Sequence, residues 1–244
     1  MQTILEIHGA AKRFGGVHAL VDAHLSLNAG EIHALLGENG AGKSTLLKTL
    51  AGVHKLDAGS ITLFGKDFIS AGTRGSLEQG IAVIYQEPNL FPDLTLAENV
   101  FIGRQLVHGK TVDWKEMVAR SSALFTRLGV PLNPLRLARG LSIADQQIVE
   151  IAKALSLDAK VIVMDEPTAA LGVRETAKVE DLISRMKQQG LAILLISHNF
   201  DQVLRLADQV WVMRQGNVMA GMRAKDTSGD ELVALITGAS AGKE

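Results

Sequence analysis

The sequence predicts an α/β fold: a mostly parallel core sheet interrupted by an inserted α-helical subdomain. Three observations predict it. The run Gly37 to Thr45 (GENGAGKST) lies between an apolar strand and a helical segment. From Val161 onward, short apolar strands alternate with helical segments, the pattern of parallel strands joined by crossover helices. Between these two regions, from about Asn89 to Leu157, the apolar residues fall at helical spacing.

Taken in order, the first section, up to about Pro88, reads as strands and turns. Ile4 to Ile7, Ile32 to Leu36, Ile61 to Phe64 after Ala58-Gly59-Ser60, and Ile81 to Tyr85 are the strands, and Leu46 to Leu50 is helical. In the inserted stretch, Trp114, Met117, Val118, Ser121, Leu124, Phe125 and Leu128 recur every three or four residues; Val130-Pro131 and Asn133-Pro134 end that helix. Val161 to Met164 then reads as a buried strand, Arg174 to Gln189 as a charged helix and Leu191 to Ile196 as a second strand. A helix near Phe200 to Ala207 and a strand from Val210 to Met213 follow. These boundaries give a core formed by 1–88 and 158–244 and a helical subdomain over 89–157. A polar tail, 238–244, is expected to fray. No internal repeat or low-complexity tract is present.

Composition narrows the classes. A chain of 244 residues fits one large domain or a domain with a sizeable insertion. Lys plus Arg is 25 and Asp plus Glu is 26, a net charge of -1, so the balance does not call for nucleic acid or an anionic membrane surface. With 4% aromatic residues, a base-stacking platform for single strands is disfavoured. The absence of cysteine excludes disulfides and cysteine-based metal sites and is compatible with a reducing cytoplasm. No signal segment opens the chain, and the longest apolar runs fall short of the ~18 residues that span a bilayer, so a soluble chain is expected.

The run Gly37, Glu38, Asn39, Gly40, Ala41, Gly42, Lys43, Ser44, Thr45 matches G-x-x-x-x-G-K-[ST] at every fixed position, and it implies that the chain handles a nucleoside triphosphate. Gly37, Gly40 and Gly42 let the backbone curl so that successive N–H groups point at phosphate oxygens. Lys43 neutralises the β and γ phosphates, Ser44 offers a hydroxyl to Mg²⁺, and the helix opening near Lys43 turns its positive end to the same anion. The bland alternative is a glycine turn between strand and helix. Further along, Asp165 ends an apolar strand where it can hold Mg²⁺ through its water shell. Glu166 follows it, placed to orient or deprotonate an attacking water. Ser197-His198 and Gln86 each follow an apolar strand, which delivers polar side chains to the carboxyl edge of such a sheet.

Leu141-Ser142-Ile143-Ala144-Asp145-Gln146-Gln147 opens the helical run Ile148 to Leu155. With these residues the chain resembles the ATP-binding-cassette (ABC) ATPases over essentially its whole length. The resemblance implies the P-loop NTPase fold of that family, with an N-terminal antiparallel β subdomain beside the parallel sheet. It makes Phe14 in Lys12-Arg13-Phe14-Gly15-Gly16 the adenine-stacking aromatic, Gly37 to Thr45 the Walker A loop, and Gln86 the Q-loop glutamine and a Mg²⁺ ligand alongside Ser44 and Asp165. Leu141 to Gln147 becomes the signature motif, with Ser142, Ala144 and Gln146 contributing to the nucleotide site. Val161 to Glu166 becomes Walker B with its catalytic glutamate, Ala169 to Gly172 the D-loop, and His198 the switch histidine. Lys43, Glu166 and His198 are then the catalytic set, with ATP and Mg²⁺ as ligands. Taken singly, each has a plainer reading: Phe14 as core, Gln86 as a strand-end polar residue, His198 as a structural histidine, and Ser142 with Asp145 as a helix cap.

In this family two cassettes arrange head to tail, so that Ser142 of one lies across from Lys43 of the other and ATP acts as the adhesive. The wording narrows the group further. Tyr85 to Thr95, Ala97 to Arg104 and Val149 to Ser156 are similar to monosaccharide importers of the ribose, xylose, galactose and fructose type. That similarity implies a cytoplasmic subunit on the inner face of the cell membrane. Its partners would be a second cassette, transmembrane permease subunits and, indirectly, a periplasmic sugar-binding protein, with no nucleic acid. Leu90, Phe91 and Leu94 would receive a coupling helix or else pack locally. Three departures accompany the resemblance: such importers usually carry two cassettes per chain, the signature has Ala144 and Asp145 where a glycine and a neutral residue are usual, and Gly172 replaces an aspartate. A methyl at Ala144 is expected to restrict backbone approach and Asp145 to repel the γ-phosphate. The rival functions are a soluble cassette acting on ribosomes or DNA and a regulatory cassette with little turnover.

Overall fold

The computed structural model describes residues 2–239; most of the polar tail at 238–244 lies outside the described residues. The chain runs β1 (Thr3–Phe14), β2 (Val17–Asn28), β3 (Ile32–Leu36), α1 (Lys43–Leu50), β4 (Ala58–Leu63), β5 (Lys66–Asp67), α2 (Gly72–Glu78) and β6 (Ile81–Ile84). Then come α3 (Leu96–Val100), β7 (Val107–His108), β8 (Thr111–Val112), α4 (Trp114–Leu128) and α5 (Ile143–Leu155). The last part is β9 (Val161–Asp165), α6 (Val173–Gln188), β10 (Ala192–Ile196), α7 (Phe200–Leu206), β11 (Gln209–Arg214), β12 (Asn217–Arg223) and α8 (Gly229–Thr237).

One 10-stranded sheet, in the order β5-β4-β1-β2-β12-β11-β3-β10-β9-β6, carries the molecule. Its half from β11 to β6 is parallel, with β10 paired to β3 on one side and β9 on the other. All five residues of β10 are buried, as expected of a parallel strand covered on both faces. In the other half, β1, β2, β4 and β5 are antiparallel, and β12 joins the halves, antiparallel to β11 and parallel to β2. Helices α3 to α6 bury their apolar faces against one side of the parallel half, through residues such as Phe125, Ile148, Val149 and Ile183. Helix α1 packs on the opposite side with Leu46, Leu47 and Leu50.

The structure sharpens the sequence expectations and corrects some of them. Helix α4 has the bounds its apolar spacing suggests, but it ends at Gly129, whose φ of 72° lets the chain reverse before either proline. The stretch 89–157 is not helical throughout: Val107 pairs with Val112 and His108 with Thr111 in a short hairpin. Strand β1 extends to Phe14, well beyond Ile7, because β2 pairs with it across a two-residue turn at Gly15-Gly16. Helices α2 and α8 and strand β12 are additions to the elements read from the sequence.

A buried polar chain ties the two halves of the sheet. The Trp211 indole N–H on β11 donates to His33 Nδ1 on β3 at 3.1 Å, and His33 Nε2 lies 2.8 Å from Glu31 Oε2. That oxygen also accepts from the Asn28 amide at 2.8 Å. Because Nδ1 accepts, the ring proton sits on Nε2 and the imidazole is neutral. Burial pushes the His33 pKa down from its ordinary 6.5, with Glu31 opposing. Below about pH 6.5 the unfolded chain takes up a proton that the folded ring refuses, so acid favours unfolding. Stability measured by urea titration is therefore expected to be full above pH 6.5 and to fall as the pH drops below it. His33→Gln, which cannot titrate, is expected to remove that part of the slope.

Candidate nucleotide-binding site

The parallel strands deliver the polar residues to one edge. Strand β3 ends at Leu36 and passes into Gly37, β9 ends at Asp165 followed by Glu166, β10 is followed by Ser197 and His198, and β6 is followed by Tyr85 and Gln86. At that edge lies a cavity of about 870 Å³. Gly37, Glu38, Asn39, Gly40, Gly42, Lys43, Ser44 and Thr45 line it from one side, and Gln86, Asp165, Glu166 and His198 from the other.

The loop's form follows from its glycines. Gly42, with φ 109°, precedes α1, and its carbonyl accepts the Leu46 N–H at 3.0 Å, which starts the helix under the loop. A Cβ at Gly42 would stand 2.5 Å from the Ala19 carbonyl oxygen, and one at Gly37 only 2.2 Å from that of Met213. The loop is thus wedged between β2 and β11, with no room for larger residues at these two points. Ala41 is buried beneath the loop and does not line the cavity.

Electrostatically the site is crowded with charge. The Lys43 ammonium donates to the Gly37 carbonyl at 2.6 Å and to that of Glu38 at 2.9 Å. Burial pushes its pKa down, against the pull of Glu166 and Asp165. Burial and then the neighbouring Glu166 push Asp165 up, against Lys43 and Lys48. Tyr85 is also raised, by burial and by Asp165. Glu166 has φ 47°, an uncommon backbone for a side-chain-bearing residue, and its N–H donates to the Ile196 carbonyl at 2.9 Å. Its Oε1 lies 2.7 Å from His198 Nδ1. Ser44, Gln86 and Asp165 supply a hydroxyl, an amide and a carboxylate to one cavity, an oxygen donor set that suits a hard divalent cation sharing its shell with phosphates. Among the described residues no cluster of His, Cys, Asp and Glu could hold a metal by itself.

Other residues singled out from the sequence lie elsewhere. Phe14 is not in the cavity lining; its ring, half exposed, meets His54 edge-on at 5.0 Å, with the Lys12 ammonium 5.6 Å above it. Val17, which pairs with Phe14 across the hairpin, does line the cavity, together with His18 and Ala19. These β2 residues, with Phe200 and Ile236, escaped sequence reasoning; the adjacency of Val17 to the Phe14 turn was the available signal. Ser142 caps α5, its Oγ accepting the Asp145 N–H at 3.1 Å, and the Gln146 amide donates to the Leu141 carbonyl at 3.2 Å; neither lines the cavity. Ala144 is 1% exposed and belongs to the core, so its methyl points inward; the expectation that it obstructs an approaching partner is corrected. Gly172, φ −72°, caps α6, and its N–H donates to Glu175 at 3.3 Å; an added Cβ there meets nothing closer than 4.0 Å.

Comparisons with known proteins agree with this geometry. A family model described as ABC transporter matches residues 20–169. The chain belongs to the ABC transporter family. It is 49% identical over 236 residues to "Ribose import ATP-binding protein RbsA 2" of Streptomyces avermitilis, covering 96% of this chain and 47% of that protein. A second relative, "Ribose import ATP-binding protein RbsA" of Rhodococcus jostii, is 48% identical over 98% of this chain and 48% of its own. The chain thus spans about half the length of the curated relatives it matches. Among solved structures, an ATP-binding cassette of an ABC transporter in its ADP conformation superposes with a TM-score of 0.86 at 29% identity, covering 98% of this chain and all of that one. A nucleotide-free cassette superposes at 0.83, also 29% identical, covering 97% and 96%. The fold is that of an ABC ATPase cassette, and among the described residues no helix is long and apolar enough to cross a membrane.

Replacing Gly37 with alanine is expected to destabilise the chain by about 1–3 kcal/mol, because the new methyl must displace the Met213 backbone. The displaced loop should also weaken binding of a fluorescent ATP analogue. A urea midpoint and binding titration for Gly37→Ala, beside those of Gly40→Ala, where a φ of 84° strains an alanine but the added Cβ meets nothing within 4 Å, separate the wedge from backbone strain.

Proposed function

We propose that the chain is the ATP-binding and ATP-hydrolysing cassette of a monosaccharide ABC importer. The observation that carries this reading is the single cavity lined by Lys43, Ser44, Gln86, Asp165, Glu166 and His198. ATP is held with its phosphates along Gly37 to Thr45, where the loop amides and Lys43 meet negative charge, and its base toward the Phe14–Val17 hairpin end. Ser44, Asp165 and Gln86 hold Mg²⁺, which when bound neutralises charge on the β and γ phosphates. Glu166 orients the attacking water and accepts its proton. His198 Nδ1 lies against the Glu166 carboxylate and holds it in place for that role.

The signature residues Ser142, Ala144 and Gln146 lie outside this cavity, which supports a head-to-tail dimer in which the motif of one cassette closes the site of another. The exposed Ile143 and the partly exposed Asp145, rather than the buried Ala144, then face the nucleotide, and Asp145 slows closure by repelling the γ-phosphate. Residues 89–157 serve as the helical subdomain that carries the motif. Import of a sugar such as ribose is supported by the names of relatives 48% and 49% identical to this chain; permease subunits, a sugar-binding protein and a place on the inner membrane face follow as part of the proposed importer.

In a steady-state ATPase assay with Mg²⁺, Glu166→Gln is expected to lower kcat by ~10²–10⁴-fold while retaining ATP binding and, with ATP, a dimer on gel filtration. Wild-type turnover no higher than that of Glu166→Gln favours a regulatory cassette instead. In cells, uptake of labelled ribose should fall with the same substitution if the importer reading holds.

A further inference from the structure

We infer that Gln202 is a positioning residue for hydrolysis, an amide clamp that fixes the Glu166 segment and the His198 loop against each other. The inference rests on the ATPase reading above. Gln202, on α7, has no exposed surface and lies behind the Glu166–His198 pair rather than in the nucleotide cavity. Its Nε2 donates to Thr168 Oγ1 at 2.8 Å, two residues after Glu166, and to Glu180 Oε1 on α6 at 3.2 Å. Its Oε1 accepts from Ser197 Oγ at 3.1 Å, the residue immediately before His198. The Ser197 hydroxyl oxygen in turn accepts the Asn199 N–H at 3.1 Å, and Asn199 Oδ1 accepts the Gln202 N–H at 3.0 Å, capping α7. Arg205, one turn further along α7, donates to the same Glu180 oxygen at 2.8 Å.

A primary amide is the one uncharged side-chain end with two donors and an acceptor on a flat group, and each of those features is used here. A carboxylate at this position could not donate to Thr168 and would face Glu180. An apolar side chain would take a partner from buried Ser197, where the loss is costly, and from partly buried Thr168, while Glu180 would keep Arg205. The position matters for chemistry because Glu166 is held in an uncommon backbone conformation and is flanked by its own loop on one side and by His198 on the other. Without the clamp, the strand ends stay joined through the Glu166 N–H and the Ile196 carbonyl, but Thr168 and Ser197 lose their shared side-chain link, and the 2.7 Å contact between Glu166 and His198 loses that support.

The test compares wild type, Gln202→Leu, Gln202→Glu and the exchange Gln202→Glu with Glu180→Gln, which returns an amide and a carboxylate to the same pair of sites. All are assayed well below their melting midpoints. Gln202→Leu is expected to lower kcat by ~10- to 100-fold, the scale of a small misplacement of reacting groups, with KM for ATP and affinity for a fluorescent ATP analogue within about threefold of wild type. Gln202→Glu should do the same, and the exchange, which removes the repulsion at position 180 but leaves Thr168 without its donor, should stay well below wild type. A merely structural role predicts a lowered melting midpoint with kcat per folded molecule unchanged, and that result overturns the proposal. A readout independent of turnover is the His198 tautomer in ¹⁵N-histidine spectra. Wild type should hold the proton on Nδ1, facing Glu166, and Gln202→Leu should move it toward Nε2. An unmoved tautomer in folded Gln202→Leu overturns the clamp even if wild type proves inactive, an outcome that would sink the ATPase reading separately.

Discussion

The parallel register of β3, β10 and β9 is the constraint on which the rest of the molecule depends. Ile196 pairs with Leu35 on one side and Asp165 on the other, so the three strands end level. Whatever follows each strand therefore emerges at one edge: Gly37, Glu166 and Ser197-His198. Burial on both faces cannot by itself fix this register, because every residue of β10 is apolar and buried, and a slip would exchange one buried residue for another. The ladder is pinned instead at its end, where the Glu166 N–H donates to the Ile196 carbonyl and adds one more rung beyond the strand. Directly after that rung the backbone turns, with Glu166 at φ 47°. Strand register and active-site geometry are thus one structural fact.

Charge in the site follows from that convergence. Asp165 and Glu166 are adjacent carboxylates at a half-buried edge, and the nearest ammonium, Lys43, is itself partly desolvated. Each shift has the direction that burial dictates for its sign of charge, with the partner opposing it. This arrangement suits the proposed ligand, a phosphate chain with a divalent cation: the phosphates would meet Lys43 and the loop amides, and the cation would meet Asp165. Neither species alone balances both sides of the cavity. The wedge at Gly37 and Gly42 serves this fit by holding the loop at a fixed height above the sheet.

Much of this was legible in the sequence where one segment carries its own signal. The loop from Gly37 to Thr45 is specified by its spacing, and α4 by its apolar stripe. The strands β9 and β10 are short apolar runs with polar residues just beyond them. What escaped depends on distant partners. Strand β12 becomes a strand by bridging β11 and β2, and β1 extends to Phe14 because β2 returns alongside it. The β7–β8 hairpin is too short to show a pattern of its own. Gln202 looks like an ordinary polar residue on a short helix until Thr168, Glu180 and Ser197 are brought around it. Ala144 was misread for a related reason: its place in a motif suggests a surface role, whereas its place in the helix puts the methyl in the core.

That last point separates two demands on the start of α5. A carboxylate in the first turn is favoured by the unsatisfied amides and positive end of the helix, and the Asp145 N–H is already engaged by Ser142 Oγ. The same carboxylate is unfavourable beside a γ-phosphate, where like charges at short range oppose closure. Ala144 adds to the folding side of the balance, since its buried methyl packs in the core and alanine is the better helix former than glycine. Both residues therefore favour a well-formed helix in the single cassette, and Asp145 does so at the expense of attraction for a nucleotide held by another. In the proposed head-to-tail dimer, stability of this helix and tightness of closure oppose each other. In that proposed dimer, the attraction that offsets Asp145 would come from the glycine loop, Lys43 and the residues proposed to hold the cation.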